Sequence, residues 1–100
     1  MARHVRIRVS GGMYHVFCRG HNREVIFGED RDREHFLELL AELPGRFRIR
    51  VYAFALMANH YHLLVGTPGG NISQGMQWLN GSYGIWYNRK QHRSGVVILL

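Results

Sequence analysis

Residues 48–57 alternate with a period of two. Ile49, Val51, Ala53, Ala55 and Met57 fall on one side, and Arg48, Arg50, Tyr52, Phe54 and Leu56 on the other. Helical periodicity does not produce that pattern, so the segment predicts a β-strand. Its later half is apolar on both sides, which predicts a central place in a sheet. Only Ala58-Asn59 separates it from a second extended run at 60–67. So short a connection joins antiparallel neighbours, which makes the pair a hairpin. A lone hairpin is marginal in water, so other elements must cover one of its faces.

The covering elements are legible on either side. Met13-Tyr14-His15-Val16-Phe17-Cys18-Arg19 reads as the first strand of the sheet. Gly11-Gly12 separates it from a basic arm in which Arg3, Arg6 and Arg8 alternate with Val5, Ile7 and Val9, as either a strand or a flexible arm would. A helix follows, with Asp30 as N-cap and Asp32 and Glu34 near its positive end. Phe36, Leu39, Leu40 and Leu43 recur at helical spacing, and Pro44-Gly45 ends it. Asn71 opens a second helix, and with Gln74 it resembles a capping box. Ile72, Met76, Leu79, Tyr83, Trp86 and Tyr87 form its apolar stripe. Trp78 and Ile85 lie opposite, as a candidate homodimer surface. Gly75, Gly81 and Gly84 weaken this helix by up to about 1 kcal/mol each. The order is βαββα plus an apolar tail at 96–100. It implies an α+β fold over 1–100, a ferredoxin-like antiparallel sheet with two helices on one face.

With 46% hydrophobic residues the chain excludes an intrinsically disordered class. No apolar run approaches the roughly 20 residues that cross a bilayer, and residues 1–8 lack the apolar stretch of a signal peptide, so a cytoplasmic protein without membrane association is expected. The single cysteine, Cys18, has no internal partner and should be a buried, unreactive thiol. Thirteen basic residues against seven acidic ones give a net charge of +6, and every basic residue but Lys90 is arginine. The planar guanidinium suits bidentate phosphate contact and base stacking, which favours a polyanionic partner, although a GC-rich genome also enriches arginine.

His60-Tyr61-His62 is the sharpest chemical feature. On a strand the two histidines share a face, roughly 7 Å apart at Cα, while Tyr61 points away into the core. Two imidazoles so placed can converge on one divalent ion, and imidazole suits manganese or zinc better than magnesium. The same spacing also describes two hydrogen-bonded structural histidines. Arg19, His21 and Arg23 form a basic loop after the first strand, and Arg48 and Arg50 share a strand face; all five are candidate DNA-backbone contacts. His35 and His92 are expected on helix surfaces without partners.

Several stretches together resemble a known family. They are Tyr14-His15-Val16 with Arg19-Gly20 and Arg23, then Ile26-Phe27 and Asp30, then Leu56-Met57 leading into Asn59-His60-Tyr61-His62-Leu63-Leu64. Asn71-Ile72-Ser73 with Met76, Tyr83, and Asn88-Arg89 through Gly95 complete the series. In this order and spacing, over residues 10–95, the chain resembles the REP-associated tyrosine transposases, a branch of the single-strand transposases with a His-hydrophobic-His motif.

The resemblance implies a ferredoxin-like core in which His60 and His62 hold Mg2+ or Mn2+. It also implies single-stranded or hairpin DNA as substrate, attacked by a tyrosine that becomes covalently linked to phosphate, with no ATP required. In that family the nucleophile lies on a further helix, beyond a strand that follows the position of Gly95. This chain departs from the pattern at Val96 and ends at Leu100, which gives it the look of a C-terminally truncated member. Tyr83 and Tyr87 are the substitutes to weigh, but their place on the apolar stripe predicts core packing. Three functions compete: a DNA transposase domain working by metal-assisted transesterification, a noncatalytic hairpin-DNA-binding remnant of one, and a ferredoxin-like RNA binder in which the histidines are incidental.

Overall fold

The computed structural model describes residues 5–10, 12–68 and 70–98. Arg3 of the basic arm and Leu99 and Leu100 of the tail lie outside the described residues. The strands are β1 (Val5–Ser10), β2 (Met13–Arg19), β3 (Arg50–Met57) and β4 (His60–Gly66). The helices are α1 (Asp30–Leu40), α2 (Leu43–Phe47) and α3 (Ile72–Gln91). The basic arm is therefore a strand at 5–10, and the sheet carries one strand more than the βαββα series.

The strand order is β1-β2-β4-β3, antiparallel throughout. The β3–β4 hairpin forms as expected, turning through Ala58-Asn59 so that Met57 stands opposite His60. β3 is nevertheless an edge strand, which corrects the expectation of a central one. β4 uses its second edge to pair with β2, from Met13 opposite Gly66 to Arg19 opposite His60. The apolar residues on β3 consequently stay open to solvent: Tyr52 and Phe54 are each 53% exposed. A register irregularity between Val51 and Ala53 breaks the flatness of this edge, a feature that discourages pairing with another chain.

All three helices contribute to one core on one side of the sheet. Val16 and Cys18 from β2 and Tyr61, Leu63 and Val65 from β4 join Phe36 and Leu40 of α1, Leu43 of α2, and Met76, Leu79 and Tyr83 of α3. Phe36 is the hub, edge-on to Phe27 at 5.2 Å and to Tyr83 at 5.4 Å, and 4.8 Å from Tyr61. Burying each such side chain stabilises the fold by about 1.5–3 kcal/mol. This α+β arrangement is the ferredoxin-like fold expected, with β1 added at the edge beside β2.

Helix termini depart from the sequence pattern for identifiable reasons. Glu29, not Asp30, is the N-cap of α1. Asp32 is fully buried and accepts from the backbone N–H groups of Gly28 (2.8 Å) and Glu29 (3.1 Å), while Lys90 of α3 pairs with it. Pro44 opens α2 instead of closing α1, because a proline at the first turn forfeits no helical hydrogen bond. Arg48 is the left-handed cap of α2 (φ 57°), so it is not in a strand and shares no strand face with Arg50. Asn71 is the N-cap residue of α3, as expected, but its side chain makes no capping hydrogen bond, so the capping box with Gln74 does not form. The Asn71 amide donates to the Phe47 carbonyl and its oxygen accepts from Thr67 Oγ1 at 2.7 Å, so it ties α2 to the end of β4.

Packing also sets the surroundings of Trp78 and of the tail. Trp78 is not a free surface residue: it is half-buried, with the Arg46 guanidinium 4.7 Å over its ring and Phe47 at 5.9 Å, whereas Ile85 is exposed. The apolar tail packs into the fold. Val97 and Ile98 are buried, Ile98 bridges Gly20, and the Val97 carbonyl accepts from the His21 N–H at 2.9 Å. Among the described residues no helix is long and apolar enough to cross a membrane.

Candidate metal and nucleic-acid site

Alternation on β2 and β4 sorts the site from the core. Val16, Cys18, Tyr61, Leu63 and Val65 point to the helices and are buried. His15, Phe17, Arg19, His60, His62 and Leu64 point to the opposite, helix-free face and are half-buried. The registers place Arg19 across from His60 and Phe17 across from His62. Directly opposite residues share a face, so one patch gathers three histidines, an arginine and a phenylalanine. His60 and His62 have ring centroids 5.2 Å apart, and Phe17 lies 5.4 Å from the first and 5.1 Å from the second. His15 stacks on His62 at 5.1 Å and 21°, with His15 Nε2 at 2.9 Å from His62 Nδ1.

The His60 end is held by a knot of backbone bonds. Gly20 N–H donates to the Asn59 carbonyl (2.9 Å), and Ile26 N–H (2.8 Å) and Phe27 N–H (3.1 Å) both donate to the Ala58 carbonyl. The loop between β2 and α1 therefore grips the β3–β4 turn. A side chain at Gly20 would not fit, because its Cβ would sit 2.3 Å from the Glu24 carbonyl oxygen. In the same knot the Asn59 side chain reaches both ways: Nδ2 donates to the Arg23 carbonyl (3.2 Å), and Oδ1 lies 2.9 Å from His60 Nδ1.

The electrostatics favour a neutral ring at His62 and an anionic visitor. Burial, followed by the neighbouring His15 and His60, lowers the His62 pKa below its ordinary value, which keeps the ring uncharged with a lone pair to donate. Arg19, directly across from His60, has its Nε enclosed with no hydrogen-bond partner among the described residues. Among the described residues no group of three or more His, Cys, Asp and Glu could hold a metal ion. Those described residues thus offer an ion the two imidazoles His60 and His62, leaving other positions to water or to phosphate oxygens.

The remaining sequence candidates are dispersed. His21 and Arg23 are exposed on a 3-10 turn just past Arg19, and Arg23 contributes its carbonyl to Asn59. Arg50 shares the open face through its pairing with Gly66, roughly 20 Å from the His60 end by strand rise. It lines a shallow cavity with Met13, Tyr52 and Gly66. Arg48 is exposed at the α2 cap. His35 has a partner after all, stacking on Trp86 at 4.2 Å; His92 is the exposed left-handed cap of α3.

The five tyrosines are accounted for. Tyr83 is fully buried and its hydroxyl donates to the Ile26 carbonyl; burial drives its pKa far up. Tyr87 is 5% exposed and donates to the Val25 carbonyl at 3.2 Å, and its pKa too is raised by burial. Tyr61 is buried against Asn80, whose amide also donates to Cys18 Sγ at 3.5 Å. Tyr14 packs against the core. Tyr52 stands against Gly66, four residues along β4 from His62 or about 13 Å by strand rise.

Sequence reasoning gave no role to His15, Phe17, Asn59 or Asn80. A period-two count carried across both strands identifies the first two, since it places them on the histidine face. No local signal identifies the polar contacts of Asn59 and Asn80. A family model described as Transposase IS200 like matches residues 8–96. No curated protein matches the chain.

Proposed function

The chain belongs to the IS200-like transposase family, and from that premise we propose that its open sheet face binds single-stranded or hairpin DNA and supports metal-assisted phosphodiester chemistry at His60 and His62. The observation that carries this reading is the pair of imidazoles, with ring centroids 5.2 Å apart on a helix-free face and an arginine across from one of them. Two nitrogen donors and no carboxylate suit Mn2+ better than Mg2+, with the substrate's own phosphate oxygens completing the shell. Bound there, a divalent ion supplies positive charge against a phosphate that becomes more negative as it is attacked.

The chain's own residues do the rest. Arg19 stands across from His60, where its guanidinium can give a phosphate oxygen a charge-assisted bond. Phe17 offers a ring on which an unpaired base can stack. Arg50, at the far end of the face, adds a second phosphate contact along the strand direction. Together they bind a single strand across β2, β4 and β3 and fix one phosphodiester near the imidazoles.

Transesterification through phosphotyrosine also requires a reachable phenol. Tyr14, Tyr61, Tyr83 and Tyr87 pack with the core behind the sheet, and Tyr52 stands some 13 Å away by strand rise. This favours the second reading for these residues, a hairpin-DNA-binding domain in which none of the five tyrosines is the attacking hydroxyl. Incubation with hairpin DNA and Mn2+ should leave no covalent protein–DNA band on a denaturing gel, and a band would refute the tyrosine assignment. Replacing His60 and His62 together by alanine should abolish Mn2+ uptake while salt-sensitive DNA binding persists. Wild-type protein that takes up no Mn2+ would refute the metal assignment.

A further inference from the structure

Which nitrogen of a neutral imidazole carries the proton is set by the partner of the other nitrogen. At His60 that partner can be assigned. Asn59 Nδ2 donates to the Arg23 carbonyl, which fixes the amide's orientation and leaves Oδ1 facing His60 Nδ1 at 2.9 Å. An amide oxygen only accepts, so Nδ1 holds the proton and Nε2 keeps its lone pair. At His62 the partner is His15 Nε2, 2.9 Å from Nδ1. Both nitrogens can donate or accept, but one of the two arrangements leaves His62 matching His60. In it, His15 carries its proton on Nδ1 and accepts from His62 Nδ1–H.

We propose that Asn59 and His15 are positioning residues that hold His60 and His62 in the same Nδ1–H tautomer, so that both Nε2 lone pairs are free together. The inference deepens the metal assignment and rests on it for its purpose, though the tautomers themselves do not depend on a metal. The two supports come from different elements. Asn59 sits in the β3–β4 turn, oriented by the loop that follows β2, and His15 sits on β2. Each fixes its ring's rotation as well as its proton. Removing partners of this kind costs a histidine site roughly 10–100-fold in metal affinity.

The test begins with the metal-free wild-type chain. Long-range nitrogen–proton NMR of histidine-labelled protein, at a pH where the rings are neutral, should show a protonated Nδ1 and an unprotonated Nε2 for both His60 and His62. A protonated Nε2 on either ring overturns the proposal, and this measurement requires no variant to fold. Asn59→Leu should release His60 to a tautomer mixture and weaken Mn2+ binding, followed by electron paramagnetic resonance, about 10–100-fold. Asn59→Asp, which retains an acceptor oxygen, should restore the Nδ1–H signature. His15→Phe should do to His62 what Asn59→Leu does to His60, and His15→Gln, which can accept, should recover it. Unchanged tautomers and unchanged Mn2+ affinity in Asn59→Leu and His15→Phe would overturn the positioning roles. A wild-type chain with both Nδ1–H signatures but no Mn2+ uptake would support the tautomer assignment and sink the metal reading alone.

Discussion

Replacing Gly75 by alanine should destabilise the protein even though the site is helical. In an isolated helix the change is favourable by about 1 kcal/mol, because glycine surrenders more backbone freedom on folding. Here the new Cβ would lie 2.3 Å from Ile49 Cδ1 and 3.7 Å from Phe47 Cγ. Ile49 is fully buried, so its δ-methyl can move away only by pressing on its core neighbours, or else the α3 backbone must shift. Overpacking of this kind costs about 1–3 kcal/mol, which leaves a net loss of roughly 0–2 kcal/mol. Gly81, six residues further along the same helix, is the control. It is exposed and an added Cβ there meets nothing within 4 Å, so alanine should stabilise by about 0.5–1 kcal/mol. Urea unfolding followed by far-UV circular dichroism, with matching slopes, gives both values. The decisive quantity is their difference, expected at about 1–3 kcal/mol. A Gly75→Ala protein as stable as the Gly81→Ala protein would refute the claim that α3 approaches Ile49 this closely.

Tyr83→Phe should cost about 1–3 kcal/mol in the same urea assay, because it leaves the buried Ile26 carbonyl without its hydroxyl donor; Mn2+ uptake should not change, as it would if this phenol belonged to the site. Stability should fall at alkaline pH. Burial raises Cys18 above its ordinary 9.0 and Tyr61, Tyr83 and Tyr87 above their ordinary 10.0. The folded chain therefore keeps protons that the unfolded chain releases, and the stabilisation is full below those ordinary values and declines as pH climbs past them. A urea midpoint that is flat or rising through that range would contradict the buried placement of these four groups. Gly20→Ala should cost at least about 3 kcal/mol, the upper end for overpacking, because the new methyl meets a backbone oxygen and not a flexible side chain. It should also loosen the Asn59 turn, visible as altered amide exchange at Asn59; protection equal to wild type would show that the loop does not grip the turn.

The sequence by itself determined the local elements and the pairing of the two histidines. The period-two run before Ala58-Asn59 specified a hairpin, and the same period put His60 and His62 on one face and Tyr61 on the other, because side-chain alternation on a strand needs no tertiary information. The apolar stripe of α3 likewise marked Tyr83 and Tyr87 as core residues. Tertiary structure decided whatever depends on which edge meets which. β3 reads as central from its own composition, but β4 spends its second edge on β2, and β3 is left outermost. Gly75 and Gly81 look alike in sequence, yet one abuts Ile49 and the other meets solvent. His15 and Asn59 join the histidine site through a neighbouring strand and a gripped turn, contacts whose partners lie up to 47 residues away along the chain. Periodicity reports the face a residue occupies, whereas the register between strands distant in sequence decides what it touches there.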